Sequence, residues 1–343
     1  MKQKIVKVAL CLLAVSSAPV WAQSNVVTVY SADGLHDGTP SWYSDQFAAF
    51  TKATGIKVQY VEAGSSGVVD RIQKEQSNVQ ADVLVTMPPF MQKAAADGLL
   101  TAYTPAGASD IVASAKEPQS RYTAMVFNYP SFIYNAAVLK TPPSTYQDLL
   151  DPKFKQKIQY SSPGQAADGT AVMMQVVHSY GSKQAGLAYL GKLEANNLGP
   201  SASTGKLTAL VNKGELYVAN GDMQMNMAQM QDNPNIRVFF PAGPDGKKTT
   251  FALPYYIGLV AHAPHADNGK KLIDFLLSKP AQQSVSTVAQ GIPVRADVHP
   301  EDNAYKQSQA AMQGVSIWEP DWTQILANLQ TDVGDYKQAI ANK

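Results

Sequence analysis

The chain has 343 residues, a formal charge of +1 and one cysteine, and 45% of its residues are hydrophobic. Near-neutrality excludes general binding to nucleic acid or to an anionic membrane, because both need a strongly basic surface. A single cysteine excludes a disulfide framework and a cysteine metal site.

Lys2, Lys4 and Lys7, the apolar run Val8 to Val15 and the small residue ending Val20-Trp21-Ala22 come in the order of a secretory signal. Cleavage is expected after Ala22. The run is too short for a permanent membrane anchor, and no later stretch is long and apolar enough to be one. Cys11 lies inside the removed segment, and Leu10 stands where a lipoprotein signal needs a small residue. The mature chain then has no thiol and a net charge of −2. That suits an oxidising compartment outside the inner membrane. A mature chain of roughly 320 residues buries a large core and usually makes two lobes.

Helical and strand patterns alternate along the chain, which predicts an α/β fold. Val26 to Tyr30 reads as a buried strand. Trp42, Tyr43, Phe47 and Phe50 mark one helical face, and Gly55 suits its C-terminal cap. Ile56 to Val61 alternates like a strand, Val68 to Glu75 is helical, Ala81 to Thr86 is a strand, and Pro88 to Ala96 is a helix closed near Gly98. Met125 to Tyr134 reads as an extended crossing, with Pro130 suited to an edge or a bend. A second set follows: strand Ile158 to Tyr160, helices Gly169 to Tyr180 and Lys206 to Asn212, and strand Leu216 to Ala219. Phe251 to Val260 looks like a return crossing, and Lys270 to Leu277 is an amphipathic helix. Two crossings between two α/β sets predict two lobes, a hinge and a cleft. Ligands in such sheets sit at the carboxyl ends of strands, where helix N-termini point.

Three loops carry candidate chemistry. Tyr30 to Gly38 holds polar residues between two glycines, which suits ligand contact and ordinary capping equally. Ser161 to Thr170 leads into a helix, where free N–H groups, the helix dipole and hydroxyls attract an anion; a plain N-cap at Asp168 or Thr170 is the commoner role. Gly199 to Lys206 invites comparison with a P-loop. Five residues separate its glycines instead of four, and Leu207 replaces the magnesium-binding hydroxyl, so nucleotide hydrolysis is not implied. Hydroxyls and a lysine at a helix start still favour a phosphoryl-type anion. A solvated surface role for Lys206 is about as common. His36, His178, His262, His265 and His299 show no metalloprotease spacing, and no GxSxG elbow occurs. Met223, Met225, Met227 and Met230 suit core or cleft lining better than a copper(I) site. No catalytic residue, metal or cofactor is therefore expected.

Thr145 to Ile158 (TYQDLLDPKFKQKI) and Asn268 to Ser278 (NGKKLIDFLLS) resemble the iron/polyamine/phosphonate class of bacterial solute-binding proteins. Thr28 to Gly38, Ser162 to Met173 and Gly199 to Asp222 are similar to the 2-aminoethylphosphonate-binding branch of that class. The resemblance implies a type II periplasmic binding protein, with two α/β lobes joined by a hinge and the ligand in the cleft. It implies a signal over 1–22, lobe I from 23–122 and 258–300, lobe II from 123–257, and a C-terminal helical segment over 301–343 packing on the lobes. Iron-binding members use a histidine, a carboxylate and a tyrosine pair at positions that fall here on His36, Met87, Asp222 and Met223. Iron needs several oxygen or nitrogen donors together, so these residues argue against it.

The implied ligand is the zwitterion 2-aminoethylphosphonate, which needs donors at one end and acceptors at the other. The phosphonate is assigned to Ser162, Thr170, Ser203, Thr204 and Lys206. The ammonium is assigned to Asp222 with Tyr255 or Tyr256. Ser31, His36 and Thr86 are expected to close from lobe I. Asp33 and Asp37 are alternative ammonium partners. The resemblance also implies a periplasmic monomer that delivers its ligand to the membrane permease of an ABC importer and binds no nucleic acid. The rival readings are a binder of another organophosphate or a polyamine, and a periplasmic phosphatase or phosphonate-cleaving enzyme.

Overall fold

The computed structural model describes residues 25–32, 34–35 and 41–341. The expected signal and His36, Asp33 and Asp37 lie outside these residues.

Val26–Ala32 forms β1, buried along nearly its whole length. Ser41 then starts α1 (Trp42–Thr54) through a capping box with Ser44, and Gly55, at φ 73°, stops it. β2 (Lys57–Ala63), α2 (Ser65–Lys74), β3 (Val83–Thr86), α3 (Phe90–Ala96) and β4 (Leu100–Thr101) follow, and β5 (Thr123–Phe127) ends this first half. The second half holds β6 (Pro130–Asn135), β7 (Ile158–Gln159), α4 (Ala167–Ser179), α5 (Lys183–Leu193), α6 (Gly205–Asn212), β8 (Val218–Asp222), α7 (Met223–Asp232), β9 (Ile236–Phe239) and β10 (Lys248–Thr250). The chain returns through β11 (Tyr255–Val260), α8 (Ala266–Leu276), α9 (Lys279–Gln283) and β12 (Ile292–Pro293). It finishes with α10 (Asn303–Ala311), β13 (Val315–Ile317) and α11 (Trp322–Ala341).

Two main sheets result. The larger has the order β12-β5-β11-β3-β1-β2, with β4 on β11; the smaller has the order β7-β8-β6-β9. β1 runs parallel to β2 and β3, whereas β11 runs antiparallel to β3 and β5. Each sheet carries its own apolar core. Val29, Trp42, Phe50, Leu84 and Leu272 belong to the first, and Tyr146, Phe154, Tyr189 and Leu190 to the second.

The strand pairing shifts the division drawn at 123 and 257. β5 and all of β11 lie in the larger sheet, so the chain changes sheets at 128–129 and 251–254. The crossing pattern therefore breaks at Asn128-Tyr129 instead of running through Met125 to Tyr134. Pro130 is the first residue of β6, an inner strand, where its missing N–H removes no interior ladder bond. The C-terminal segment contains the strand β13, parallel to β10, besides its two helices.

α11 rests on both lobes. Ile325 and Leu329 pack against the first core, and Val333, Tyr336 and Ile340 against the second. Tyr336 donates its hydroxyl to that of Tyr160 at 2.9 Å, and Lys183 of α5 pairs with Asp332 and Asp335, each at 2.6 Å. Just ahead of α11, Trp318 stacks on His178 with ring centroids 4.2 Å apart. Partial burial of the ring lowers the His178 pKa below its ordinary 6.5, opposed by Asp245. The unfolded chain therefore takes up this proton first as pH falls, and stability declines below about pH 6.5. The exposed part of the ring keeps the effect small. His178→Gln should flatten the fall of melting temperature between about pH 7 and about pH 5.

Candidate ligand-binding cleft

The floor of the cleft is built where β8 turns into α7. Asp222 caps α7, its Oδ1 accepting the Met225 N–H at 2.7 Å. Its Oδ2 accepts the Tyr255 hydroxyl at 2.9 Å. Asp222 stands in the smaller sheet and Tyr255 in the larger, so this bond joins the lobes at the return crossing. Both side chains are fully buried. The first loop comes close above them: a Cβ on Gly34 would stand 2.0 Å from the Tyr255 hydroxyl oxygen and 2.8 Å from Met225 Cε. Met225 thus packs beneath the first loop, while Met223 and Met227 pack around Phe240 as core.

Two residues back along β8, Asn220 anchors a second cluster. Its Oδ1 accepts the Ser161 N–H at 2.8 Å, and its Nδ2 donates to Ser161 Oγ at 3.2 Å. Ser161 Oγ also accepts the Thr204 hydroxyl at 2.9 Å. Strand geometry puts Asn220 and Asp222 on the same face, about 7 Å apart. A hydroxyl and amide cluster and a carboxylate therefore lie within the span of one small molecule.

Three helices point their N-termini at this region. The caps of α2, α4 and α6 are Gly64, Ala166 and Thr204, and none supplies a side-chain cap bond. The starts of α1, α5, α7 and α10 are all side-chain capped. The Ser66 and Ala167 N–H groups are taken by Gln165 and Ser65, and the dipoles of the three helices still favour an anion at these ends. Asp168, buried in the first turn of α4, also sits where the dipole favours a negative charge.

The expected phosphonate residues have mixed placements. Thr204 joins the Ser161 cluster. Ser162 pairs with Ser201 instead, donating its N–H to the Ser201 carbonyl at 2.7 Å and accepting the Ser201 N–H on Oγ at 3.1 Å. Thr170 is spent on shaping its own loop: Oγ1 accepts the Gly164 N–H at 2.9 Å and donates to the Ala166 carbonyl at 3.0 Å. Ser203 is half-buried, its carbonyl accepting the Ser201 hydroxyl at 2.7 Å. Lys206 is exposed in the first turn of α6. Solvent screens a charge so placed, so Lys206→Ala should change affinity by no more than about threefold, with the difference vanishing at high salt. Titration calorimetry at two ionic strengths checks this.

On the amine side, Tyr255 meets Asp222 and Tyr256 does not. Consecutive strand residues face opposite ways. Tyr256 packs edge-on against Tyr122, centroids 4.8 Å apart, and lines a groove of about 570 Å³ under α11 with Arg121 and Trp322. From lobe I, Ser31 bonds inward to the Ala32 carbonyl at 2.8 Å and shares a bond with the Tyr43 hydroxyl at 3.2 Å. Thr86 donates to the Ser65 carbonyl at 3.1 Å. Both act within lobe I. The sequence reading missed Asn220, and it missed Ser65 and Ser66. The latter pair had a signal: Gly64-Ser65-Ser66-Gly67 follows an alternating strand with the same glycine and hydroxyl pattern as the other two loops.

Residues 33–283 match the family described as bacterial extracellular solute-binding protein. The chain belongs to that family. A relative in Salmonella typhimurium strain LT2, named "Putative 2-aminoethylphosphonate-binding periplasmic protein", is 59% identical over 334 residues, covering 97% of this chain and 98% of its own. Among solved structures, the periplasmic binding protein P5PA superposes with a TM-score of 0.79 at 19% identity, covering 92% of this chain and 99% of its own. The apo ferric ion-binding protein A of Pasteurella haemolytica gives 0.72 at 20% identity, with coverages of 93% and 99%. These likenesses establish a two-lobed type II binding-protein fold for this member of the family. Among the described residues, no helix is long and apolar enough to cross a membrane.

Proposed function

We propose that this periplasmic solute-binding protein captures 2-aminoethylphosphonate between its lobes and delivers it to the permease of an ABC importer. One observation carries the reading: a buried carboxylate, Asp222, and a cluster of hydroxyl, amide and uncapped helix N-terminal donors lie on one strand face about two residues apart. That arrangement matches a short zwitterion. The ammonium goes to Asp222, steadied by the Tyr255 hydroxyl. The phosphonate goes to the Ser161–Thr204 side with the amides of α4 and α6. The relative's name points to the same ligand.

The protein's work is binding. The closed form contacts the ligand from both lobes, so the ligand shifts the equilibrium toward closure. Closure removes water and strengthens the charge-assisted bonds. The permease then reads the closed shape.

A thermal-shift screen tests the ligand. 2-Aminoethylphosphonate at about 100 times Kd should stabilise the protein by about 2.7 kcal/mol, and spermidine and ferric citrate should not. Stabilisation by spermidine or iron alone would overturn the assignment. Free phosphate accumulating from 2-aminoethylphosphonate would replace the binding reading with an enzymatic one.

A further inference from the structure

The tip of α2 is the place where lobe I touches the anion side of lobe II. Ser66 gives both its N–H and its hydroxyl to the Gln165 carbonyl, at 3.2 and 3.0 Å. Ser65 Oγ accepts the N–H of Ala167, the first residue of α4, at 3.3 Å. Behind it, the Thr86 hydroxyl holds the Ser65 carbonyl at 3.1 Å. Gly64 faces the third loop so closely that a Cβ there would stand 2.9 Å from the Ala202 carbonyl oxygen.

Ser65 differs from its neighbours in one respect. Its side chain is 1% exposed, and its oxygen already accepts a bond from the opposite lobe. Its own proton has no acceptor among the described residues. A buried donor left unused is costly, because it has given up water and gained no partner. This one stands at the first residue of α2 and against the first residue of α4, where two helix dipoles favour an anion.

We propose that Ser65 is a ligand contact that also senses closure: its hydroxyl receives the α4 amide of the other lobe and gives its proton to an anionic oxygen of the bound molecule. The receiving bond exists only when the lobes meet. It orients the hydroxyl, so that the proton is aimed at the ligand in the closed form alone. Ser66 acts beside it as a positioning residue that holds the lobes together without touching the ligand.

The identity of the ligand rests on the preceding reading; the latch does not. Three variants separate the roles. Ser66→Ala should speed release of 2-aminoethylphosphonate up to about tenfold and leave association unchanged, since it removes one closure bond. Ser65→Ala should lower affinity by about tenfold or more beyond that, since a bond to a charged oxygen is lost as well. Gly64→Ala has an ordinary backbone, with φ −60° and ψ 157°, and should keep the wild-type melting temperature. It should nevertheless widen the lobe separation, read as the distance between one spin label on each lobe. The sole native cysteine, Cys11, lies in the expected signal, so introduced cysteines label cleanly in the mature chain. Ser65→Ala binding no more weakly than Ser66→Ala would remove Ser65 from the ligand and overturn the proposal. An unchanged lobe separation in Gly64→Ala would overturn the latch. If wild-type protein ignores 2-aminoethylphosphonate while Gly64→Ala still parts the lobes, the ligand reading fails and the latch stands.

Discussion

Asp222→Asn is expected to lower affinity for 2-aminoethylphosphonate by one to two orders of magnitude while the protein keeps its fold. Asparagine retains the oxygen that accepts the Met225 N–H at 2.7 Å, so α7 keeps its cap. The Tyr255 hydroxyl, now 2.9 Å from Oδ2, can rotate to meet the amide that replaces it. What disappears is the negative charge. A hydrogen bond to a charged partner is worth about 1.5–3 kcal/mol, and each 1.4 kcal/mol is about tenfold in affinity. Calorimetry with ethylphosphonate, which lacks the amine, supplies the control. Wild type should prefer the aminated ligand strongly, and the variant should discriminate little. Equal affinity of wild type and variant for 2-aminoethylphosphonate would place the ammonium elsewhere.

Gly169→Ala is expected to destabilise the protein by about 1–3 kcal/mol and to abolish most ligand binding. A Cβ at this position would stand 2.2 Å from the Ser161 carbonyl oxygen, 2.5 Å from its carbon and 2.6 Å from the Ser162 carbonyl carbon. These are backbone atoms, which do not swing aside as a side-chain tip does. The loop must move, and it carries Ser161 away from Asn220 and Thr204. Gly334→Ala in α11 is the matched comparison. Apart from the backbone of its own helix, no heavy atom lies within 4 Å of its added methyl, so it should stabilise by about 0.4–1 kcal/mol and leave affinity alone. Melting curves and calorimetry on both variants check the contrast. A Gly169→Ala protein with unchanged affinity would mean that Ser161 takes no part in binding.

The regular elements were legible where one signal dominated. Trp42, Tyr43 and Phe50 repeat on one face and end at a glycine, and α1 follows that pattern. The sequence analysis assigns no element to α5, whose pattern Gly186 and Gly191 interrupt. They are packing residues: a Cβ at Gly186 would meet the Val177 backbone at 2.7 Å, and one at Gly191 the Ala339 carbonyl at 2.8 Å. α7 escaped because Met223, Gln224, Met225 and Asn226 are all buried, which leaves little contrast between its faces. In the cleft, the loops were readable and the side chains mostly were not. Thr170 and Ser162 are assigned to the phosphonate from the sequence, with an N-cap the commoner role for Thr170, and the hydroxyls of both are engaged by backbone groups. Ser161 meets Asn220 across 59 residues of sequence, a contact fixed only by the pairing of β7 with β8. Choosing between Tyr255 and Tyr256 required the register of β11, because the wrong neighbour points to the opposite side of the sheet.

The polypeptide passes between the lobes three times: at 128–129, at 251–254, and again through the segment that leaves β12, pairs β13 with β10 and ends in α11. Two adjacent strands alone would let one body both bend and twist against the other. A third thread runs beside the second, where the Trp318 N–H meets the Thr250 carbonyl at 2.9 Å, and is then fastened to α5 by Lys183 and to Tyr160 by Tyr336, so that it braces both lobes against torsion. Bracing of this kind favours an opening swing about one axis over a twist. Such a swing returns the same two rims into register, so that the closed protein offers one repeatable silhouette.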